Sequence, residues 1–399
     1  MSMLKPLTKI NVADLWKEVK DEDTLWGDLK QETRFLLKNL LAGCMKQELK
    51  TYLNAGRHER KEERVSYRNG CYERSLDTEL GVIEGLSIPR SRDGGFKTKV
   101  FESYQRRQEA VNDSIKEMFI HGVSARQVGD VLEPLLGKKI CSAQTVSNIV
   151  KELDSEVETF HKRPLEDKYT YLFLDGIYLS KKKAIGTTKK PVLVAYGITM
   201  EGKRELIDYR QANSESEGAW FSLLDDLYHR GLRGNNLKLI ITDGCKGLLA
   251  ALDMAYPYPD RQRCWAHKMR NVLNKVRKKD QKEVKDRAIK IYLAENRKEV
   301  IENYWEWAKR WREIYPKAVE CIEKDLDELL SFLKFPEEHR VKIRTTNAIE
   351  RVFREVRKRT RPMSTFNNKE SCDRIIFALF HFMNEKWGKK PLKEFTQNS

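Results

Sequence analysis

Apolar residues recur every three or four positions through residues 12–53, a spacing that predicts amphipathic helices. The pattern then changes to short alternating runs, which Asn69-Gly70 and Asp93-Gly94 interrupt and which arginines flank. Asn-Gly and Asp-Gly pairs are common turn signals next to β-strands. We therefore expect a helical unit at the start of the chain, followed by a small basic β element.

Three short helices are predicted beyond the β element: one over residues 111–122, a second capped by Ser124, and a third beginning near Ser142. Polar side chains of the kind that read base edges, Arg126 and Gln144 among them, accompany the second and third helices. A helix-turn-helix module, whose third helix enters the major groove of DNA, accounts for this pattern. A plain helical bundle accounts for it equally well.

From residue 169 onwards the apolar runs have the length and alternation of β-strands. Three such runs follow one another, and a helical stretch separates them from a fourth. Three strands, a helix and a strand form the opening order of a ribonuclease-H-like α/β core. The strands are predicted at residues 169–175, 191–200, 205–212 and 237–243, and the helix at 216–230.

The next segment, residues 266–340, is highly charged with a helical pattern, and it predicts an insertion that interrupts the core. The expected fold class is α/β: a ribonuclease-H-like catalytic core interrupted by an all-helical insertion and preceded by helical and small β DNA-binding modules. The predicted regions are a helical N-terminal or dimerisation region at 1–56, a small basic β element at 57–105, a helix-turn-helix-like DNA-binding domain at 106–162, the first segment of the core at 163–265, the insertion at 266–340 and the second segment of the core at 341–399.

Charge and length narrow the classes of protein to consider. The 399 residues include 76 Lys and Arg against 60 Asp and Glu, a net charge of +16 at pH 7. A field of this sign attracts polyanions, so nucleic acid is the first partner to consider. The apolar runs are far shorter than the ~20 residues of a membrane-spanning helix, and residues 1–10 lack the apolar segment of a secretory signal. We expect a cytoplasmic protein without a membrane partner, whose seven scattered cysteines are free thiols.

Two of the predicted strands end in the same dipeptide, Asp175-Gly176 in the first strand and Asp243-Gly244 in the fourth. The first and fourth strands lie side by side in a ribonuclease-H-like sheet, so the two carboxylates are expected to meet at one edge. Carboxylates that are so close repel one another and favour a hard cation such as Mg²⁺ or Mn²⁺. Taken alone, the pattern is explained as well by ordinary turns and helix caps.

A third acid, Glu350, lies on a predicted amphipathic helix and is followed by a basic track at Arg354, Arg357 and Arg361. Apolar residues at i, i+3, i+4 and i+7 predict one buried side of this helix. A local role also fits, because Asn347 and Glu350 have the spacing of a capping box, and Glu350 and Arg354 have that of an ion pair. The apolar stripe consists of Ile349, Val352, Phe353 and Val356.

Two further groups have a functional and a structural interpretation. Cys264 and His267 form a C-x-x-H pair, but a structural zinc needs four ligands and no second pair is near in sequence, so zinc is disfavoured. We expect this pair to lie where the last core strand enters the insertion, either linked to one another or ordering the surroundings of the active site. Trp305, Trp307 and Trp311 are typical of a helix core, and the alternative is that one of them stacks on an unpaired base.

Several segments taken together resemble the Mutator-type transposases of bacterial insertion sequences. The resemblance covers most of the chain and is specific in order and content. The segments are LDGIY around Asp175, ITDG around Asp243, RCWAHKMRN at 263–271 and TTNAIERVFREVRKRTRPM at 345–363, with YRNGCYERSLDTELG and SIPRSRDGGF upstream.

The resemblance implies a DDE active site in which Asp175, Asp243 and Glu350 are the catalytic residues and the metal ligands, with two Mg²⁺ or Mn²⁺ ions per site. Two such ions activate the attacking oxygen and stabilise the leaving oxygen of a phosphate, so no covalent protein nucleophile is needed. The implied partner is double-stranded DNA, both the terminal inverted repeats of the element and the target. Cleavage would free a 3′-OH that is then joined to the target.

Further expectations accompany this assignment. Two element ends must be held together, so we expect a homodimer or a higher homo-oligomer. A related ribonuclease-H-like nuclease or resolvase without strand transfer is one alternative. A transposase-derived, non-catalytic DNA-binding protein is the other, and it is disfavoured because all three acids are present. The residues expected to bind DNA are Arg126, Gln144, Arg354, Arg357 and Arg361.

Overall fold

The structure, a computed structural model, describes residues 21–182, 186–361, 365–366, 368–388 and 390–395. The helical pattern predicted for residues 12–20 therefore lies outside the described part of the chain. The chain folds into two compact units, and the boundary between them lies between Lys151 and Glu152. The elements of the first unit are α1 Glu22–Leu53, β1 Arg68–Thr78, β2 Gly81–Ser91, α2 Glu109–Ile120, α3 Val128–Leu136 and α4 Ala143–Val150.

A single long helix and a β-hairpin form the first half of this unit. The helical pattern of the opening region is confirmed from Glu22 onwards, as one helix of 32 residues. The two strands pair antiparallel, and α1 packs against β2. The expected small β element is thus present. The apolar core between α1 and the hairpin consists of Met45, Leu76, Ile83, Leu86 and Ile88.

The role predicted for Asn69-Gly70 is wrong. These residues lie inside β1, where the pairing register shifts between Arg68 and Cys71 and Gly70 has a φ of 65°. A strand irregularity of this kind readily accepts a glycine in the left-handed region. The hairpin instead turns between Thr78 and Gly81, the last and first residues of the two strands.

The three short helices are present, but the cap predicted for the second one is wrong. Helix α3 begins at Val128, and the Ser124 carbonyl accepts the amides of Gln127 and Val128 in a turn before the helix. The cap of α4 is confirmed, because the Ser142 hydroxyl accepts the Thr145 amide at 3.2 Å.

The second unit is built on a five-stranded sheet in the order β5-β4-β3-β6-β7. Strands β3, β4 and β5 are antiparallel neighbours, whereas β6 is parallel to β3 and β7 is parallel to β6. The fold is therefore α/β with a mixed sheet, and the four predicted strands and their helix are confirmed. The elements up to the last strand are α5 Leu153–Lys162, β3 Tyr169–Lys182, β4 Thr187–Thr199, β5 Arg204–Gln211, α6 Glu217–His229, β6 Leu239–Thr242, α7 Lys246–Ala255 and β7 Asp260–Arg263.

The expectation that the first core strand ends at Asp175 is wrong, because β3 continues to Lys182. Its parallel partner β6 stops at Thr242, opposite Leu174, but its antiparallel partner β4 stays in register as far as the pair Lys182 and Thr187. Hydrogen bonds to β4 thus extend the strand beyond the point that the Asp-Gly pair indicates.

Helices cover both faces of the sheet. Helices α6 and α7 pack on one face, where Leu172, Leu174 and Leu193 of the strands meet Trp220 and Leu248 of the helices. The described elements between β7 and Asn347 are all helical. The elements after β7 are α8 Trp265–Leu273, α9 Gln281–Leu293, α10 Arg297–Trp311, α11 Pro316–Glu323, α12 Leu326–Leu330, a 3₁₀ turn Ser331–Lys334, α13 Glu337–Ile343, α14 Asn347–Thr360, α15 Lys369–Gly388 and a 3₁₀ turn Lys393–Phe395.

The last long helix, α15, packs against β5 and α5. The Tyr209 hydroxyl donates to the carbonyl of Asp373, and the Asn384 side chain bonds both the amide and the carbonyl of Leu206. The C-terminal region of the chain is thereby fixed to the edge of the same sheet that carries Asp175. Within the described residues, no helix has the length and apolar character needed to cross a membrane.

Candidate active site

The pairing of β3 with β6 sets the positions of Asp175 and Asp243. The last pair in their parallel register joins Leu174 to Thr242, and each aspartate is the next residue of its chain segment. The two side chains therefore start from the same level of neighbouring strands, where β6 ends. The structure brings together the two acids that the sequence placed at one sheet edge.

Local hydrogen bonds distinguish the two aspartates. The buried Asp175, which is 7% exposed, accepts the Gly176 amide at 2.8 Å. Asp243 accepts the Cys245 amide at 2.9 Å, two residues on, and the intervening Gly244 has a φ of 86°. The interpretation of an Asp-Gly pair as a turn therefore applies to Asp243, whereas Asp175 and Gly176 stay within their strand.

Helix α14 presents Glu350 in its first turn, and the predicted apolar stripe on its other side is confirmed. Ile349, Val352, Phe353 and Val356 are all buried, each 2% exposed or less. The capping-box interpretation is wrong, because the N-cap is Thr346 and Asn347 is already the first helical residue. A different set of contacts therefore holds the start of this helix.

Those contacts come from the C-x-x-H pair. Cys264 directly follows β7, and its sulfur accepts the Thr346 amide at 3.1 Å and the Thr346 hydroxyl at 3.3 Å. The same hydroxyl is 3.3 Å from Nδ1 of His267. Cys264 and Thr346 are both fully buried. The pair thus ties the first residues of α14 to the end of the last strand.

The Glu350 carboxylate meets two side chains of α8. Its Oε1 lies 3.4 Å from Nη2 of Arg270 and 3.7 Å from Nε2 of His267. The Glu350 side chain is 32% exposed and that of Arg270 is 60% exposed. Among the described residues the cationic partner of Glu350 is therefore Arg270 of α8, and Glu350 and Arg354 do not form the salt bridge that their spacing along α14 allows.

Asp175, Asp243 and Glu350 line one cavity of about 690 Å³. The three predicted basic residues Arg354, Arg357 and Arg361 line it too, and all three are exposed. Asp175 and Asp243, at the edge of the sheet, therefore share the cavity with cationic side chains of α14. The other lining residues are Gly176, Tyr178, Glu215, His267, Arg270, Phe353 and Lys358.

Sequence reasoning missed Glu215 and Tyr178. Tyr178 follows Asp175 on β3, and Glu215 precedes the N-cap residue Ser216 of α6. The strand order contains a signal for Glu215. Strand β5 runs in the same direction as β3, and its last residue, Gln211, is in register through Val192 of β4 with Ile177, two residues after Asp175. A polar residue in the loop after β5 is consequently delivered to the same sheet edge.

Burial and mutual repulsion raise the pKa values of two acids in the cavity. Burial raises the pKa of Asp175 to about 7, and the nearby Asp243 and Glu350 carboxylates add to the shift. Burial, followed by Asp243, also raises the pKa of Glu215. Burial lowers the pKa of His267, which favours its neutral form near Glu350. The acids are thus in surroundings that disfavour their negative charge.

A divalent cation fits this set of donors. Mg²⁺ and Mn²⁺ prefer carboxylate oxygens, and their charge would offset the repulsion that raises the pKa of Asp175. Within the described residues, no three His, Cys, Asp or Glu side chains are already arranged as a metal site. The cavity therefore contains carboxylates that suit a divalent cation, but these carboxylates are not arranged at the mutual distances of a metal site.

The tryptophans of α10 differ from one another. Trp307 and Trp311 are buried, and the Trp307 indole donates to the Val284 carbonyl at 3.1 Å, so these two belong to the helix core. Trp305 is 57% exposed, and its stacking on a base stays a prediction. In the first unit Arg126 and Gln144 are exposed, and their contact with DNA also stays a prediction.

Comparisons with known proteins agree with one another. The family model described as "Transposase, Mutator family" matches residues 10–390. The transposase for insertion sequence element ISRM5 of Rhizobium meliloti is 33% identical, over 89% of this chain and 88% of that protein. The transposase for IS256 in transposon Tn4001 of Staphylococcus aureus is 34% identical, over 88% and 90%. The transposase for IS406 of Burkholderia multivorans is 35% identical, over 88% and 90%.

Proposed function

Because the chain belongs to the Mutator family of transposases, we propose that it is a DDE transposase that binds the ends of its insertion sequence, cleaves them and joins them to target DNA. One observation carries the proposal: Asp175, Asp243 and Glu350 line a single cavity that basic side chains also line. Acids alone repel a phosphate, whereas acids that share a divalent cation, beside a basic rim, suit one.

A ribonuclease-H-like core belongs to the proposal. The strand order β5-β4-β3-β6-β7, with β6 and β7 parallel to β3, supports it. The helices from Trp265 to Ile343 lie in sequence between the strand that follows Asp243 and the helix that carries Glu350. In the proposed architecture they are an insertion into that core.

Asp175, Asp243 and Glu350 are the residues that would hold Mg²⁺ or Mn²⁺, two ions per site. Such ions, when bound, supply Lewis acidity to a phosphate and lower the pKa of an attacking hydroxyl. Glu350 would leave its contacts with Arg270 and His267 to become a ligand. Because the Arg270 side chain is 60% exposed, breaking its salt bridge with Glu350 costs about 0–1 kcal/mol.

The basic side chains have a separate task in the proposed reaction. Arg354, Arg357 and Arg361 are exposed and line the cavity, so they are placed to neutralise phosphates on either side of the scissile one. His267, with its lowered pKa, stays neutral beside Glu350 and does not compete for its charge. Cys264 and Thr346 keep the start of α14 in place.

The proposed chemistry has two balanced steps. First, a water oxygen bonds to phosphorus at the element end and loses its proton, while the 3′ oxygen leaves and takes up a proton as a hydroxyl. Second, that hydroxyl loses its proton as its oxygen bonds to a phosphorus of the target, while the 3′ oxygen of the target leaves and takes up a proton as a hydroxyl. Both are phosphoryl transfers at the same site, which the same two metal ions would serve.

The test is an assay with the element ends as substrate. The protein is incubated with an end-containing duplex, target DNA and Mg²⁺, and the 3′ ends and joined products are mapped. We expect both products from the native chain, and neither from Asp175→Asn, Asp243→Asn or Glu350→Gln, with duplex binding retained by each variant. Undiminished cleavage by any one of the three variants would refute the assignment.

The alternative with the same acids is a nuclease or resolvase. A duplex that already carries a free 3′-OH at the element end separates the two functions, because only a transposase joins it to target DNA. Hydrolysis of the uncut duplex without any joined product from the pre-cut one would favour the alternative. The names of the similar proteins, all transposases for insertion sequence elements, favour the transposase.

The proposal extends to DNA binding by the whole chain, as a homodimer or larger assembly that holds two ends. Arg126 and Gln144 are proposed to contact the terminal repeats. Because the chain has a net charge of +16, we expect its affinity for duplex DNA to fall steeply as the salt concentration rises. A flat salt dependence in a titration would contradict an extended phosphate footprint.

A further inference from the structure

A fourth carboxylate, that of Glu215, lies in the cavity that Asp175, Asp243 and Glu350 line. Glu215 is half-buried. Burial and then the Asp243 carboxylate raise the pKa of Glu215, and Glu215 adds a small contribution to the pKa of Asp175, which burial and Asp243 chiefly raise. Glu215 therefore belongs to the same electrostatic group as the three proposed ligands.

The backbone at Glu215 is in direct contact with the segment that follows Asp243. The Cys245 sulfur lies 3.7 Å from the Glu215 carbonyl oxygen, to which it donates. A Cβ added to Gly247 would lie only 2.8 Å from that same oxygen and 2.8 Å from the amide nitrogen of Glu217. The starts of α6 and α7 thus pack backbone to backbone, which fixes Glu215 relative to Asp243.

The side chain of Glu215 extends over the residue that follows Asp175. A Cβ added to Gly176 would collide with Oε1 of Glu215, so the carboxylate occupies the space that a side chain at position 176 would take. Tyr178, three residues after Asp175 on β3, lines the same cavity, and its hydroxyl partly offsets the rise in the pKa of the Glu215 carboxyl that burial and Asp243 cause. Contacts from β3 and from the loop after β6 therefore converge on Glu215.

The position of the Glu215 carboxylate in the cavity is not explained by a salt bridge. Within the described residues, no Lys, Arg or His forms a salt bridge with Glu215, although the cavity holds several cations near Glu350. A half-buried carboxylate that faces other carboxylates destabilises the fold unless a cation offsets its charge. The fold nevertheless keeps the Glu215 carboxylate beside Gly176, in the cavity that Asp175 and Asp243 line.

We infer that Glu215 is a fourth carboxylate ligand, direct or through a bound water, of the divalent cation that Asp175 and Asp243 hold. The inference rests on the proposed function, because it concerns the same cation site. It assigns the loop after β5 a direct role in that site. It also explains why residue 176 has no side chain, since the space beside Asp175 is filled by the carboxylate of Glu215.

The first experiment measures Mn²⁺ binding to the full-length chain by titration calorimetry without DNA. We expect Glu215→Gln to lower the Mn²⁺ affinity about tenfold or more, as the loss of one member of a metal site does. The matched control is Glu217→Gln, which removes the same charge from the same helix start, on an exposed residue outside the cavity. This control should bind Mn²⁺ within about twofold of the native chain.

The second experiment displaces Glu215 without changing it. Gly176→Ala places a methyl group where Oε1 of Glu215 lies, and the atom that must move is the end of a flexible side chain. We expect this variant to lose Mn²⁺ affinity as Glu215→Gln does, and to add no further loss when combined with Glu215→Gln. Two independent losses that multiply in the double variant would refute the inference.

Thermal melting separates ligation from a merely structural role. Glu215→Gln removes a repelling charge, so in the presence of a chelator it should melt at the same temperature as the native chain or higher. Its rise in melting temperature on addition of Mn²⁺ should be smaller than that of the native chain. A lower melting temperature in chelator with an unchanged Mn²⁺ response would mean a structural role and would overturn the inference.

The outcomes also distinguish this inference from the proposed function. If Asp175→Asn loses Mn²⁺ binding and Glu215→Gln binds as the native chain does, then Glu215 is not a ligand and the DDE site stands. If the native chain binds no Mn²⁺, or Asp175→Asn binds it unchanged, the cation site and the inference both fail. Loss in Asp175→Asn and Glu215→Gln, with Glu217→Gln unaffected, supports both.

Discussion

The three acids of the candidate site are held in two different ways: Asp175 and Asp243 by the sheet, and Glu350 by helix α14. Asp175 and Asp243 take their positions from the backbone register of β3 and β6. Glu350 takes its position from side-chain contacts between α14 and the residues after β7. Asp175 is 7% exposed, whereas the Glu350 side chain is 32% exposed, forms a salt bridge of 3.4 Å with Arg270 and lies 3.7 Å from the neutral His267.

This difference indicates a fixed region and an adjustable region of the site. Main-chain hydrogen bonds along two partner strands leave Asp175 little freedom, because moving it would break the ladder. A carboxylate on the first turn of a helix, paired with an exposed Arg270, exchanges partners at small cost. An ion or a phosphate that enters the cavity would therefore meet aspartates already in place and a glutamate that adapts.

The largest expected effect comes from changing the length of each acid. Asp175→Glu puts an extra methylene into a buried position, and we expect strand transfer to fall about a thousandfold or more, which is about 4 kcal/mol in the barrier. Glu350→Asp shortens an adaptable side chain, and we expect a fall of about ten- to a hundredfold. Rates of joining for a pre-cut end measure both; equal losses would remove the distinction between the two regions.

The second prediction concerns the core beneath the aspartates. Ile240 of β6 is fully buried against the helices on one face of the sheet, so Ile240→Ala should lower the free energy of unfolding of the second unit by about 2–5 kcal/mol. The control is Lys238→Ala, at an exposed position just before β6, with a change of about 0.5 kcal/mol or less. Chemical denaturation measures both. A small effect at Ile240 would mean that the sheet is not the rigid region.

The third prediction tests the anchor of α14. Thr346→Val keeps the shape but removes the hydroxyl that contacts Cys264 and His267, which leaves the half-buried imidazole of His267 without this partner. We expect a loss of about 1–3 kcal/mol in stability and a lower rate of joining, because Glu350 is less well placed. Thr346→Ser retains the hydroxyl and should keep most of both. If Thr346→Val lowers stability but leaves the joining rate unchanged, the anchor does not position Glu350.

The smallest effect is expected for the salt bridge of the adjustable region. Arg270→Gln removes the exposed partner of Glu350, and the free energy of unfolding should change by only about 0–1 kcal/mol. Mn²⁺ affinity should stay the same or rise slightly, because Glu350 no longer has to leave an arginine. A large fall in stability would show that the pair holds α14 in place, which contradicts an easily released glutamate.

The local pattern of the sequence was sufficient to identify the elements that carry the site. Buried strands appear as short apolar runs, and the stripe from Ile349 to Val356 marks one side of α14, because burial repeats with the period of the backbone. The resemblance to a transposase family then singled out Asp175, Asp243 and Glu350, and the structure places all three around one cavity. Local signals also gave the cap of α4 correctly.

Only the tertiary structure decided the features that depend on partners distant in sequence. Strand β3 runs past Asp175 because β4 pairs with it to Lys182. Thr346 rather than Asn347 is the N-cap of α14, and its amide is bound by Cys264, which is 82 residues away. Glu215 enters the cavity because β5 runs parallel to β3 two strands away. A periodic pattern records which side of an element is buried, but it does not record which distant residue covers that side, and such contacts fix strand ends, caps and the composition of the site.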